Sequence, residues 1–167
     1  DGLGDLDFPK PTLEPEGERA VSFIIRTLME ASEPMEWIAL GPLTNIALAL
    51  REEPRIISKI KGLIMMAGAV DFGNTKPMAE FNVYADAEAA KIVIDSEIPK
   101  MMIPLDPLWH GGQLNRKEIE TINKKRNFPW CEMVGKLLER TIEMADSSRR
   151  KYAMGEGAVA PPDLLTM

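Results

Sequence analysis

Glu36-Trp37-Ile38-Ala39-Leu40-Gly41-Pro42-Leu43-Thr44-Asn45 is the stretch that decides the fold. Its first half is a short apolar run without strict alternation, the pattern of a strand buried on both faces. Gly41-Pro42 makes a tight turn, and Asn45 to Arg51 continues with helical spacing until Glu53-Pro54 stops it. The same pattern recurs along the chain. Lys61 to Met66 reads as a second buried strand ending at Ala67-Gly68, and Met101 to Leu105 as a third, although Pro104 fits a sheet interior poorly. Helices are expected over Glu16 to Ala31, where Ala20, Val21, Phe23, Ile24, Ile25, Leu28 and Met29 make a broad apolar face, and over Ala85 to Val93, with an acidic first turn. Asn115 to Asn123 and Trp130 to about Met144 read as two more. Residues 1–15 and the polar segment Ala69 to Asn82 read as loops. Helices alternating with short apolar strands imply an α/β fold, a mostly parallel sheet with helices on both faces. Ligands in such sheets bind beyond the carboxyl ends of the strands. Here that means Gly41 to Asn45, Ala67 to Asn82 and Asp106 to Gly112.

Composition narrows the class. The chain has 167 residues, 45% hydrophobic and 28% charged, with 20 Lys plus Arg against 26 Asp plus Glu. That is globular composition, and residues 1–167 read as a single α/β domain. The chain opens on Asp1 and closes on the apolar Leu164-Leu165-Thr166-Met167. It is therefore expected to be a fragment of a larger domain, trimmed ends being the alternative. A net charge of −6 argues against a nucleic-acid groove, which needs positive charge to neutralise phosphates. The single cysteine, Cys131, excludes an internal disulfide and a Cys-based zinc knuckle, and in its helix it reads as a small buried side chain. No apolar run approaches the roughly 20 residues that span a bilayer. The expected location is the cytoplasm. Dinucleotide and Walker A glycine patterns are missing, as is the Gly-x-Ser-x-Gly elbow.

The polar residues at the strand ends each admit two readings. Thr44 or Asn45 caps the following helix, or the Gly41–Asn45 turn offers backbone carbonyls to a hard cation such as calcium. Asn74, Glu80 and Asn82 are either polar groups of a solvated loop or donors and acceptors for the hydroxyls of a sugar. Asp86 and Glu88 read as helix N-terminal charges. Asp163, after Pro161-Pro162, reads by itself as an N-cap. His110 is the only histidine, a surface or structural residue or a catalytic one, and Trp109 either stacks on a base or covers the core.

Taken together these segments resemble the inosine-uridine preferring nucleoside hydrolase family. The resemblance is carried by Asp1-Gly2-Leu3-Gly4, Gly41-Pro42-Leu43-Thr44-Asn45-Ile46-Ala47, Met66-Ala67-Gly68-Ala69, Gly73-Asn74, Ala79-Glu80-Phe81-Asn82 through Ala90, Leu105-Asp106 and Pro162-Asp163. It implies calcium-assisted cleavage of the N-glycosidic bond of ribonucleosides. It also implies a carbonyl ligand from Thr44 and a carboxylate ligand from Asp163. Asn74 and Glu80 would face the ribose 5′-hydroxyl, Asn82 the 2′/3′ diol, and Met66 would pack on the sugar. The partners implied are a small nucleoside and further copies of the chain, as a dimer or tetramer, in purine or pyrimidine salvage. The family's opening Asp-x-Asp-x-Gly-x-Asp-Asp cluster has no counterpart at Asp1, Asp5 or Asp7. The general base is thus unassigned. Many members carry a His before the late calcium Asp; Pro162 stands there in this chain, leaving His110 as a candidate acid. Two further readings stay open, a non-catalytic binding or scaffolding member of the family and an unrelated sugar-binding α/β module.

Overall fold

A computed structural model of the chain describes residues 10–124, 131–146, 157–159, 161 and 163. The chain forms two compact units, one of Pro15–Pro107 with Pro162–Met167 and one of Asp1–Glu14 with Leu108–Pro161.

The first unit is built on a three-stranded parallel sheet. Helix α1 spans Ala20–Glu30, strand β1 Met35–Ala39, helix α2 Thr44–Glu52, and strand β2 Ile60–Met66. Helices α3 (Phe81–Ala85) and α4 (Ala87–Asp95) precede strand β3 (Lys100–Ile103) and the short helix α5 (Asp106–Trp109). The strand order is β1-β2-β3, all parallel. Each βα unit expected from the sequence is present, with its ends moved for identifiable reasons. The first helix starts at Ala20 and not at Glu16, because Gly17 is a poor helix former. Strand β3 stops at Ile103, since Pro104 has no N–H for the ladder. The helix expected over Ala85 to Val93 starts at Ala87 as α4, and a separate helix, α3, takes in Phe81 and Asn82 from the expected loop; Asp86, whose non-helical backbone ends α3, caps α4 with its side chain. A 3₁₀ segment, Pro54–Lys59, opens where Pro54 follows Glu53, a connection the sequence reading left undescribed.

The register sets the two faces of the sheet. Trp37, Leu63 and Lys100 align across the strands, then Ile38, Ile64 and Met101, then Ala39, Met65 and Met102. Leu63, Met65 and Ala39 pack with Leu28 of α1, Ile46 and Leu50 of α2 and Val93 of α4 into one buried core. Side chains alternate between faces, so the Ile38–Ile64–Met101 row lies on the other side, where Ile38 is 43% and Met101 59% exposed.

In the second unit, β4 (Leu114–Asn115) pairs antiparallel with β5 (Ala158–Val159) beside helices α6 (Arg116–Lys124) and α7 (Cys131–Asp146). Asn115 Oδ1 accepts from the N–H groups of Lys117 and Glu118, and Glu118 returns a carboxylate to the Asn115 N–H at 2.8 Å. This is a reciprocal capping box that starts α6. Ile119, Ile142 and Val159 form its core. Cys131 is half-buried and not the buried side chain expected, because it stands at the first position of α7. Trp130 and the basic run Arg149-Arg150-Lys151 lie outside the described residues.

Candidate functional site

The carboxyl edge of the sheet collects the polar groups of the first unit. The strands hand over to a further pair of backbone bonds, Ala67 N–H to the Ile103 carbonyl at 3.1 Å and Leu105 N–H to the Gly68 carbonyl at 3.0 Å. Gly68 has φ +78°, a conformation that glycine adopts without penalty. Its N–H donates to Glu80 Oε2 at 3.0 Å. Glu80 also accepts from the N–H groups of Asn82, at 2.7 Å, and Val83, at 3.1 Å. One carboxylate, 3% exposed, thus caps α3 and fastens it to the end of β2. Three backbone N–H donors compensate the loss of water around this charge.

Asn82 is buried beside it. Its Nδ2 donates to the Met66 carbonyl at 2.9 Å and lies 3.3 Å from the Met66 sulfur. The amide nitrogen is thereby committed to the strand, which orients Oδ1 as the acceptor available to a ligand. Asn74 is exposed, and its Oδ1 accepts from the Phe81 N–H at 2.8 Å, so Nδ2 is the group it can offer. Asn74 rides on a hydrogen-bonded knob in which Gly73 N–H meets the Pro77 carbonyl at 2.9 Å and Thr75 N–H the Ala79 carbonyl at 3.1 Å. A Cβ at Gly73 would overlap the backbone oxygens of Lys76 and Ala79, so the knob requires glycine there. Asp106 fixes the start of the same loop, accepting from Val70 N–H at 2.9 Å and Asp71 N–H at 2.7 Å.

Asp163 is half-buried. Burial first, and then the Glu80 carboxylate, push its carboxyl above the usual value. The two residues are far apart in sequence, yet the Glu80 charge reaches Asp163. Thr44 is the first helical residue of α2, and its hydroxyl donates to Asp86 Oδ2 at 2.6 Å. This bond and the Ala89 N–H hold Asp86 below its ordinary value. Neither Thr44 nor Asn45 caps α2: the N-cap is Leu43, without a side-chain bond, because Thr44 already sits inside the first turn and its hydroxyl is turned to Asp86. The N-cap reading of Asp163 depends on residues after it, which lie outside the described set, as do Pro162, Asp1, Asp5 and Asp7.

Bonds therefore bring Met66, Asn74, Glu80 and Asn82 to one strand end, and Asp163 lies near enough to Glu80 for that carboxylate to disfavour its charged form. Thr44 joins them through Asp86, a link that sequence reasoning missed because it treated Asp86 as a helix charge. Asp106 was also missed; Asp before Pro107, just past a strand, was its signal. His110 is exposed and belongs to the second unit. The donor types suit calcium, a hard cation that takes carboxylate and carbonyl oxygens. Among the described residues no group of three or more His, Cys, Asp or Glu is placed to hold a metal. No helix among them is long and apolar enough to cross a membrane.

Comparison with known proteins follows the same line. The model of the family described as inosine-uridine preferring nucleoside hydrolase matches residues 1–167. The pyrimidine-specific ribonucleoside hydrolase RihA of Escherichia coli (strain K12) is 39% identical over 142 residues, 85% of this chain and 45% of that protein. The solved structure of a purine-preferring ribonucleoside hydrolase from Gardnerella vaginalis is 28% identical with a TM-score of 0.82, covering 96% of this chain and 50% of its own. A plant nucleoside hydrolase, 24% identical, shares the fold with a TM-score of 0.85, over 98% of this chain and 50% of that one. The chain spans about half the length of the proteins it matches.

Proposed function

Because the chain belongs to the inosine-uridine preferring nucleoside hydrolase family, we propose that the full-length gene product hydrolyses the N-glycosidic bond of ribonucleosides with the help of calcium. The observation that carries this reading is the buried Glu80 carboxylate, beside Asp163 and Asn82, at the carboxyl edge of a parallel sheet. Departure of the base leaves positive charge on the ribose, in an oxocarbenium-like transition state. Glu80 and Asp163 set negative charge at that place before the reaction starts, and a preorganised contact of this kind is worth about 3 kcal/mol. Asn82 Oδ1 and Asn74 Nδ2 offer an acceptor and a donor to the sugar hydroxyls, and the Met66 side chain offers an apolar surface to the ring. The Thr44 carbonyl and the Asp163 carboxylate would hold calcium in part; when bound, it supplies a local positive charge that favours ionisation of water. Two oxygen-donating residues fall short of the 6–8 oxygens calcium takes, so residues 1–167 alone should bind calcium weakly. Tight binding in a calorimetric titration of this chain counts against the reading.

The direct test is base release from a panel of nucleosides by the full-length gene product, with and without a chelator. Uridine and cytidine come first, following the pyrimidine specificity in the name of the Escherichia coli relative. Chelator-sensitive release is expected; no release from any nucleoside, at any calcium level, defeats the proposal. A second reading, a family member that binds or scaffolds without catalysis, is favoured by Pro162, which stands where many members carry His. It predicts nucleoside binding without base release. Sedimentation and fractionation would test two companion expectations, a homo-oligomer and a cytoplasmic location.

A further inference from the structure

We propose that Asp86 is a positioning residue for the pocket, acting through the hydroxyl of Thr44; the inference rests on the hydrolase reading above. The Asp86 carboxylate has two arms. Oδ1 accepts from the Ala89 N–H at 2.9 Å and caps α4, while Oδ2 takes the Thr44 hydroxyl at 2.6 Å. An N-cap needs only one oxygen, and Ser or Asn would supply it equally well. The second oxygen is what a carboxylate adds, and it is committed to a residue 42 positions away in the chain.

The ends of this tie are the two parts from which the pocket is made. Thr44 follows the turn after β1, and Asp86 closes α3, the helix that opens with Phe81 and Asn82. Helix α2 has no side-chain cap, so among the described residues the Thr44–Asp86 bond anchors its first turn. A threonine hydroxyl at such a place ordinarily serves its own helix. Here it makes a short, charge-assisted bond to another element, of the stronger class of hydrogen bond. The backbone of Thr44, which carries the carbonyl assigned to calcium, is thereby fixed relative to Asn82. Asp86 touches neither sugar nor cation in this arrangement. It sets the place of a residue that does.

The test uses the full-length gene product and calcium as the probe. Thr44→Val removes the hydroxyl but keeps the shape and the backbone carbonyl. Asp86→Ser keeps a cap for α4 but cannot reach Thr44, and Thr44→Ser keeps the hydroxyl. Three readouts are taken: the calcium concentration for half-maximal uridine hydrolysis, kcat against KM, and the calcium-induced rise in melting temperature. Thr44→Val and Asp86→Ser should each raise the half-maximal calcium concentration about tenfold and shrink the calcium-induced rise, as loss of an outer partner does at metal sites. Thr44→Ser should stay close to wild type, and the double variant should be no worse than either single one. If both variants keep wild-type calcium dependence and only melt lower without calcium, the bond is merely structural: the proposal is overturned and the hydrolase reading survives. If wild type neither releases base nor melts higher with calcium, the hydrolase reading fails first and takes this proposal with it. Should Thr44→Val not fold, Asp86→Ser gives the same three readouts, because it retains the α4 cap.

Discussion

Two connections leave the carboxyl edge of the same sheet, and they are built in opposite ways. The one after β1, residues 40–43, is short and goes straight into a helix that has no side-chain cap. The one after β2, residues 67–80, is long, and side chains hold it at both ends: Asp106 grips Val70 and Asp71, and Glu80 grips Gly68, Asn82 and Val83. A short turn has few conformations to lose, and here a single side-chain bond, Thr44 to Asp86, follows it. A long one has more conformations to lose and must be fixed by bonds. The lesson is that the polar residues of the second connection, proposed above to face the sugar, are structural as well. Glu80 gives three of its acceptor positions to the backbone before any sugar arrives.

The largest effect should come from breaking the long connection at its anchor. Glu80→Ala leaves three backbone N–H groups without their acceptor in a buried place. Bonds to charged groups contribute about 1.5–3 kcal/mol each, and such losses are not additive, so about 3–5 kcal/mol is expected. Glu80→Gln keeps an acceptor but turns an NH₂ toward donors, and should cost roughly half as much. Urea unfolding of the chain measures both. A loss below about 1 kcal/mol for Glu80→Ala would mean that the long connection is not held by its carboxylate, and the contrast with the short one would disappear.

A matched pair of glycines sharpens the contrast at lower energy. At Gly73 a Cβ would overlap two backbone carbonyls of the knob, so Gly73→Ala must open it and should cost about 2 kcal/mol. At Gly41, in the short connection, a Cβ would meet nothing within 4 Å and φ is not positive. Gly41→Ala should therefore change stability by less than about 1 kcal/mol, and can raise it by restricting the unfolded chain. Equal costs at the two positions would refute the distinction. The Gly73 variant should also weaken nucleoside binding in the full-length protein, since Asn74 rides on the knob.

The same contrast governs what could be read from the sequence. The short connection was legible because its information is local: an apolar run, Gly41-Pro42, then helical spacing. All three strands and the βα alternation came through for that reason. The long connection was legible only as polar residues in a loop. Its order depends on bonds between Gly68 and Glu80 and between Val70 and Asp106, which no periodicity records. The resemblance named Glu80 and Asn82 as ligand groups, but nothing local said that Glu80 would be buried under three N–H donors. The β4–β5 pair escaped notice because two residues per strand carry no alternation. Asp86 was read as one end of one helix, when its second oxygen serves another.

The smallest predicted effect concerns Asp163, and its sign is opposite to the others. Burial and the Glu80 carboxylate raise its folded pKa above the ordinary 3.8. A raised acid contributes stability that is fully present below the unfolded value and is lost as pH rises through the folded one. Above its folded value Asp163 is therefore ionised at some expense to the fold. Asp163→Asn removes that charge, so its melting temperature at pH 7 should be slightly higher than wild type, and the gain should vanish below about pH 3.8, where both side chains are neutral. Glu80 gives its charge to the backbone, whereas burial and the Glu80 carboxylate both disfavour the charged form of Asp163. A carboxylate that opposes stability is a candidate ligand group, which is the role proposed above for Asp163. The Asn variant of the full-length protein should accordingly lose calcium-dependent base release while gaining stability. If it melts lower than wild type at pH 7, Asp163 is a structural carboxylate like Glu80, and the assignment of a cation contact to it fails.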